Sequence, residues 1–286
     1  AYKKRNKSVV KPGVFLTTLN KSAAPKQSLR LGSAPLYKKN NMQMEIIGPV
    51  SEKVNGKDAL PVFDASKGKT KNGHSVVIKL TIGNLRLLLG GDLNTESEYH
   101  LLKHFSKVDV AAIKKQLKDK SISDTQRKTL EAQMEQAILK ARKVLEVDIA
   151  KSCHHGSADF TSEFLRALNP IATVISSGDN EPHTHPRPDT LGTIGKHSRG
   201  DRSLIFSTEL ARSSKEFVDV TKIKSGTKKE RVITVYGMIN IRTDGEKVIV
   251  AQKLERAAAG RGWDIHKLEW NKKGKEFDYR QYVKYE

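Results

Sequence analysis

Apolar and polar positions change rhythm near residue 42. Before it, residues 1–40 mix Lys, Ser, Asn and Pro with little periodicity, and only Val9-Val10 and Val14-Phe15-Leu16 suggest a short strand. From there short apolar runs alternate with amphipathic stretches. Residues 44–50 read as a strand closed by Gly48-Pro49, and 51–73, rich in Lys, Gly, Asp and Asn, as a long loop. Residues 75–82 and 85–89, joined at Gly83-Asn84, predict a β-hairpin that runs through Gly90-Gly91 and delivers Asp92 at its end. A helix follows over 96–105.

Residues 111–143 carry helical periodicity, broken near 120–123, with Ser123 or Asp124 capping a second helix that has Leu130, Met134, Ile138 and Val144 on its apolar side. This reads as an inserted helical hairpin, a packing or dimerisation element. Beyond it come a short strand over 147–153 ending at His154-His155-Gly156-Ser157, a helix over 162–168 and a buried-type strand over 171–177. A loop, 178–188, holds His183 and His185; a helix at 188–195 and a strand at 203–207 follow. Strands and helices alternate and polar residues recur at strand ends, which predicts an α/β layered design with its site on one rim. Further on, 232–237, 238–242 and 247–250 around Asp244-Gly245 predict a β-hairpin or meander. The last stretch interleaves Trp263, Trp270, Phe277, Tyr279, Tyr282 and Tyr285 with Lys and Arg.

Charge changes the picture more than composition does. The 286 residues carry 52 Lys and Arg against 32 Asp and Glu, a net +20, and the first forty contain no acidic residue but include Lys3, Lys4, Arg5, Lys7, Lys11, Lys21, Lys26, Arg30, Lys38 and Lys39. Such asymmetry points to a polyanionic partner, nucleic acid above all. One cysteine, Cys153, excludes an internal disulfide. No apolar run approaches the roughly 18 residues of a membrane helix, and no signal-peptide core follows the basic start; the expected location is the cytoplasm. Three segments follow: a basic arm at 1–40, a main domain at 41–250 with its helical insertion, and a basic-aromatic extension at 251–286.

Candidate chemistry gathers at three successive strand ends: Asp92 behind two glycines, the pair His154 and His155, and His183 with His185. Imidazoles and a carboxylate are the ligands expected for zinc or manganese, and a bound metal generates hydroxide near neutral pH. Each piece alone is weak. Together they account for most of His74, His154, His155, His183, His185 and His197, six of the nine histidines.

The stretch from Asn72 to Pro186 resembles the metallo-β-lactamase domain of the ComEC-type competence proteins. The matching pieces are Asn72-Gly73-His74-Ser75-Val76-Val77, Leu87-Leu88-Leu89-Gly90-Gly91-Asp92-Leu93 with Glu98, 147–151, His154-His155-Gly156-Ser157, 162–165, Asn169-Pro170, 174–176 and His185-Pro186, once 111–143 is set aside. The resemblance implies the C-terminal part of an αββα sandwich and a metal-dependent hydrolase site holding one or two zinc or manganese ions. It gives Asp92 the bridging-carboxylate role, with His154 or His155 and then His185 as ligands or in proton transfer; ligand and acid are not separated within the pair. Lys151 and Ser157 flank the site as candidate phosphate contacts, with His183 beside them.

The family's His-x-His-x-Asp-His motif lies upstream of the matched part, and no histidine precedes residue 74 here. A partner chain or a missing N-terminal half is the expected source. The function that follows is a phosphodiesterase or nuclease acting on nucleic acid, with DNA as the expected partner. The alternatives are a non-catalytic nucleic-acid-binding or assembly subunit, and a metallohydrolase of a small ester or phosphate, for which +20 has no use.

Overall fold

The structure, a computed structural model, describes residues 36–39, 41–63, 67–177, 183–208, 235–258 and 261–282. The arm at 1–35, with the short strand expected there, lies outside the described residues, as do 178–182 and the start of the strand expected from 232.

The larger sheet takes seven strands in the order β1-β2-β5-β6-β7-β8-β9: β1 (Leu36–Lys39), β2 (Met42–Gly48), β5 (Val77–Ile82), β6 (Leu85–Leu89), β7 (Ile149–Lys151), β8 (Ala172–Ile175) and β9 (Leu204–Ser207). The expected hairpin is there: β5 and β6 pair antiparallel around Gly83-Asn84. From β6 onward the strands run parallel. Their carboxyl ends therefore line one rim, the usual place for a site in α/β sheets.

Helices cover one face of this sheet. They are α1 (Lys67–Gly73), α2 (Thr95–Ser106), α3 (Val110–Leu117), α4 (Asp124–Leu145), α5 (Ser162–Leu168) and α6 (Pro188–His197). α2 starts at Asn94, whose side chain accepts the Ser97 N–H while Ser97 Oγ accepts the Asn94 N–H. Ser123 and Gln126 cap α4 in the same reciprocal way. On α4 the residues facing the sheet are Ala137, Ile138, Ala141 and Leu145; Val144, which the spacing had put on the apolar side, is 38% exposed. The helical hairpin is thus built into the main core, where Ile138 and Leu145 meet Val77, Leu88, Leu102 and Phe164.

A four-stranded antiparallel meander covers the opposite face: β10 (Val235–Thr243), β11 (Lys247–Ala258), β12 (Arg261–Asn271) and β13 (Glu276–Tyr282). Leu85, Ile149, Leu204 and Phe206 of the larger sheet pack there against Val248, Val250, Leu268 and Phe277. Two sheets face to face, with helices outside the larger one, make the α/β arrangement compatible with an αββα sandwich. The described part of 251–286 forms strands of this second sheet; Phe277 is buried and Trp270 and Tyr279 pack beside it.

Two details depart from the sequence pattern. Residues 51–73 are not one loop: they hold a small hairpin, β3 (Glu52–Val54) and β4 (Lys57–Ala59), turning at Asn55-Gly56 with both φ positive, and then α1. Their side chains are mostly exposed, so no alternation announced the strands. The junction below the site is clamped by the buried carboxylate of Asp148, which accepts Arg86 N, Nε and Nη2 and Arg199 Nη2 at 2.7–3.0 Å. Burial acts to lower the Arg86 pKa, but its bonds to Asp148 and Glu146 prevail and hold it above the usual guanidinium value.

Candidate functional site

Three strand ends build the rim. β6 runs out at Leu89 into Gly90-Gly91-Asp92; β7 ends at Lys151 and passes into a tight turn, Cys153–Gly156; β8 ends at Ile175 and leads toward the loop bearing His183 and His185. Asp92, Lys151, His154, His155 and His185 thus come to one place.

His154 and His155 both have left-handed backbone, with φ 47° and 55°, and Gly156 follows at φ 79°. Two successive non-glycine residues in this region are strained, and such strain persists only where the surroundings impose it. The His154 N–H donates to Gly91 O at 3.1 Å, Ser157 N to His154 O at 2.9 Å and Arg187 N to Gly156 O at 2.8 Å. His155 Nδ1 lies 2.6 Å from the Ser176 carbonyl, so it carries the proton and donates it. That bond turns Nε2 toward Asp92, whose Oδ1 is 3.4 Å away.

Asp92 is set from two sides. Its backbone N–H donates to Ser75 Oγ at 2.9 Å. Gly91, at φ 61°, fits closely under Ser75: an added Cβ would lie 2.6 Å from the serine Cβ. The Lys151 ammonium donates to Gly91 O at 3.0 Å and stands 3.9 Å from Asp92 Oδ1. An imidazole and an ammonium therefore converge on a carboxylate that is 40% exposed.

The His185 ring lies 5.6 Å from His154, centroid to centroid, and is stacked on His183 at 5.8 Å. His183 itself is exposed on the outer side of the loop. Ser157 is buried behind the turn, where its hydroxyl accepts the Asp159 N–H and its carbonyl accepts Thr190 Oγ1. His74 bonds the Pro61 carbonyl and His197 ends α6, so neither joins the cluster. Burial pushes the Cys153 thiol well above its usual range, away from thiolate chemistry.

The donor types suit zinc or manganese, and Nδ1 of His154 is buried without a hydrogen-bond partner, as a ligand atom awaiting a cation would be. Yet among the described residues no group of three or more His, Cys, Asp and Glu side chains is placed to hold a metal ion. Residue-type reasoning missed Asn72, Ser75 and Ser176, which hold His154, Asp92 and His155; their partners lie 82, 17 and 21 positions away in sequence, beyond any local signal.

Among proteins of known sequence, the chain is similar to ComE operon protein 3 of Bacillus subtilis (strain 168), with 34% identity over 136 residues. The match covers 47% of this chain and 13% of that protein's length. No family model and no solved structure matches the chain. Among the described residues no helix is long and apolar enough to cross a membrane.

Proposed function

We propose that this chain carries one wall of a metal-dependent phosphodiesterase site acting on nucleic acid. The observation that supports it most is the strained pair His154-His155, held beside Asp92 at the rim of a parallel sheet. Backbone strain of this kind concentrates where function demands it. The similarity to ComE operon protein 3 and the resemblance to the competence-protein domain support the same reading.

Asp92, His154 and His185 are the residues of this chain that would hold zinc or manganese. When bound, such an ion supplies hydroxide near neutral pH and neutralises charge on a phosphoryl group. The remaining ligands would come from a His-x-His-x-Asp-His segment on another polypeptide or another part of a longer chain. His155, anchored through Nδ1, directs Nε2 at Asp92 and is placed to hold or pass a proton there. Lys151 puts a cation beside the carboxylate, where a phosphodiester oxygen would approach. The net charge of +20 favours a polymeric phosphate over a small neutral ester.

A second reading, a nucleic-acid-binding subunit without catalysis, is favoured by the lack of a three-donor group among the described residues. Metal content and cleavage of single- and double-stranded DNA with Mn2+ or Zn2+, measured on the chain with its partner segment and on an Asp92→Asn variant, separate the two. Stoichiometric metal and cleavage that the variant loses support the hydrolase; binding without metal or cleavage supports the subunit.

A further inference from the structure

We propose that Asn72 is a positioning residue for His154: its amide engages Nε2 and so assigns Nδ1 as the ring atom that meets a metal ion. This rests on the metal-site reading above.

Three observations carry it. The Asn72 amide nitrogen lies 3.5 Å from His154 Nε2, so that ring nitrogen already faces a partner. Nδ1 is buried and has no partner. The backbone of Asn72 is itself held in place: it lies in the last turn of α1, and its main-chain carbonyl accepts the Ser75 N–H at 3.0 Å. Ser75 in turn accepts the Asp92 N–H. One short turn therefore sets both the backbone of Asp92 and the ring of His154, keeping the two donors in register.

An amide suits this place because it has a donor end and an acceptor end. A neutral imidazole has one protonated and one bare nitrogen. With Nδ2–H of Asn72 directed at Nε2, the proton sits on Nδ1. A cation at Nδ1 requires that nitrogen bare; the proton then resides on Nε2 and the amide, turned over, accepts it through Oδ1. Ligating histidines are usually oriented by such a hydrogen bond from their other nitrogen. Aspartate at 72 would match only the metal-bound tautomer, and leucine neither.

The test uses the full chain, labelled with 15N, as wild type, Asn72→Asp and Asn72→Leu, with circular dichroism to establish that each is folded. Long-range 1H–15N spectra locate the ring proton of His154, with His154→Gln identifying its signals, before and after addition of Zn2+ alone. The expected result is Nδ1–H in the metal-free wild type, Nε2–H in Asn72→Asp and a mixture in Asn72→Leu. Zinc should move the Nδ1 resonance, and its affinity should fall about 10–100-fold in Asn72→Leu while Asn72→Asp keeps it. The same tautomer in all three metal-free proteins, or a zinc shift at Nε2, overturns the proposal. If zinc binds none of them, the metal-site reading and the assignment of Nδ1 fail together, and the metal-free tautomers alone decide whether Asn72 orients His154.

Discussion

Gly156 and Pro186 meet so closely that a Cβ on the glycine would sit 2.8 Å from the proline Cβ, and 3.2 Å from Ile175 Cγ2. This contact joins the turn carrying His154 and His155 to the loop carrying His185. Gly156→Ala should cost about 1–3 kcal/mol, since it adds a clash to a φ of 79°. It should also weaken zinc binding by moving His185 off His154. Denaturant unfolding and zinc titration check both; unchanged stability would show that the loop yields freely.

Asp92→Ala and His185→Ala should abolish metal-dependent cleavage while leaving the fold intact, because both residues lie at the rim outside the apolar cores. Cleavage rate, metal content and unfolding midpoint, measured together, form the check. Full activity with normal metal content in either variant would remove that residue from the site.

Asp148→Ala should destabilise the chain by about 3–5 kcal/mol, as removal of one partner from a buried ion pair does. The carboxylate is fully buried, and its loss leaves Arg86 and Arg199 without their shared acceptor. Equilibrium unfolding in urea gives the value.

Glu98 lies buried on α2, and burial raises its pKa from 4.5 to about 8; the Thr161 N–H opposes the shift, and Asp159 and Glu163 add to it. Between those pH values the folded form keeps a proton that the unfolded chain has released. This contribution to stability is therefore full below pH 4.5 and is lost as pH rises through about 8. Glu98→Gln keeps an acceptor for Thr161 N and should flatten that decline. Unfolding free energies measured across the range would contradict the assignment if wild type and variant changed in parallel.

If the chain binds nucleic acid through five or six phosphates, the log of affinity should fall against log salt with slope around −5 for duplex and near −4 for single strands. Deleting residues 1–40 should flatten that slope, since they carry many cations and no anion. Filter binding across a salt series tests it. A slope unaffected by the deletion would take the arm out of the interface.

Much of the fold was legible because its signals are local. Turn residues at Gly83-Asn84 and apolar runs on either side announced the hairpin that carries Asp92, and helix α5 matches its expected span. α1 left no such trace: it lacks apolar periodicity, and its hold comes from Lys69, whose carbonyl accepts Asn94 Nδ2 and whose ammonium meets Glu96. β12 was hidden for another reason. Its inward positions include Asp264 and His266 before Leu268, so a buried face begins with polar residues and blurs the alternation. At the site, the residue types were readable and their roles were not. Two adjacent histidines do not by themselves announce left-handed backbone, and the bonds that fix His154, His155 and Asp92 connect distant parts of the chain.

The left-handed turn at His154 and His155 also bears on how inactive versions of this protein would behave. Glycine at either position would relieve the backbone while removing an imidazole. His154→Gly and His155→Gly should therefore melt at the same temperature as the parent or higher, and fold to higher yield, although they lose the candidate chemistry. Two imidazoles on left-handed backbone thus cost the fold stability that glycine at the same positions would return.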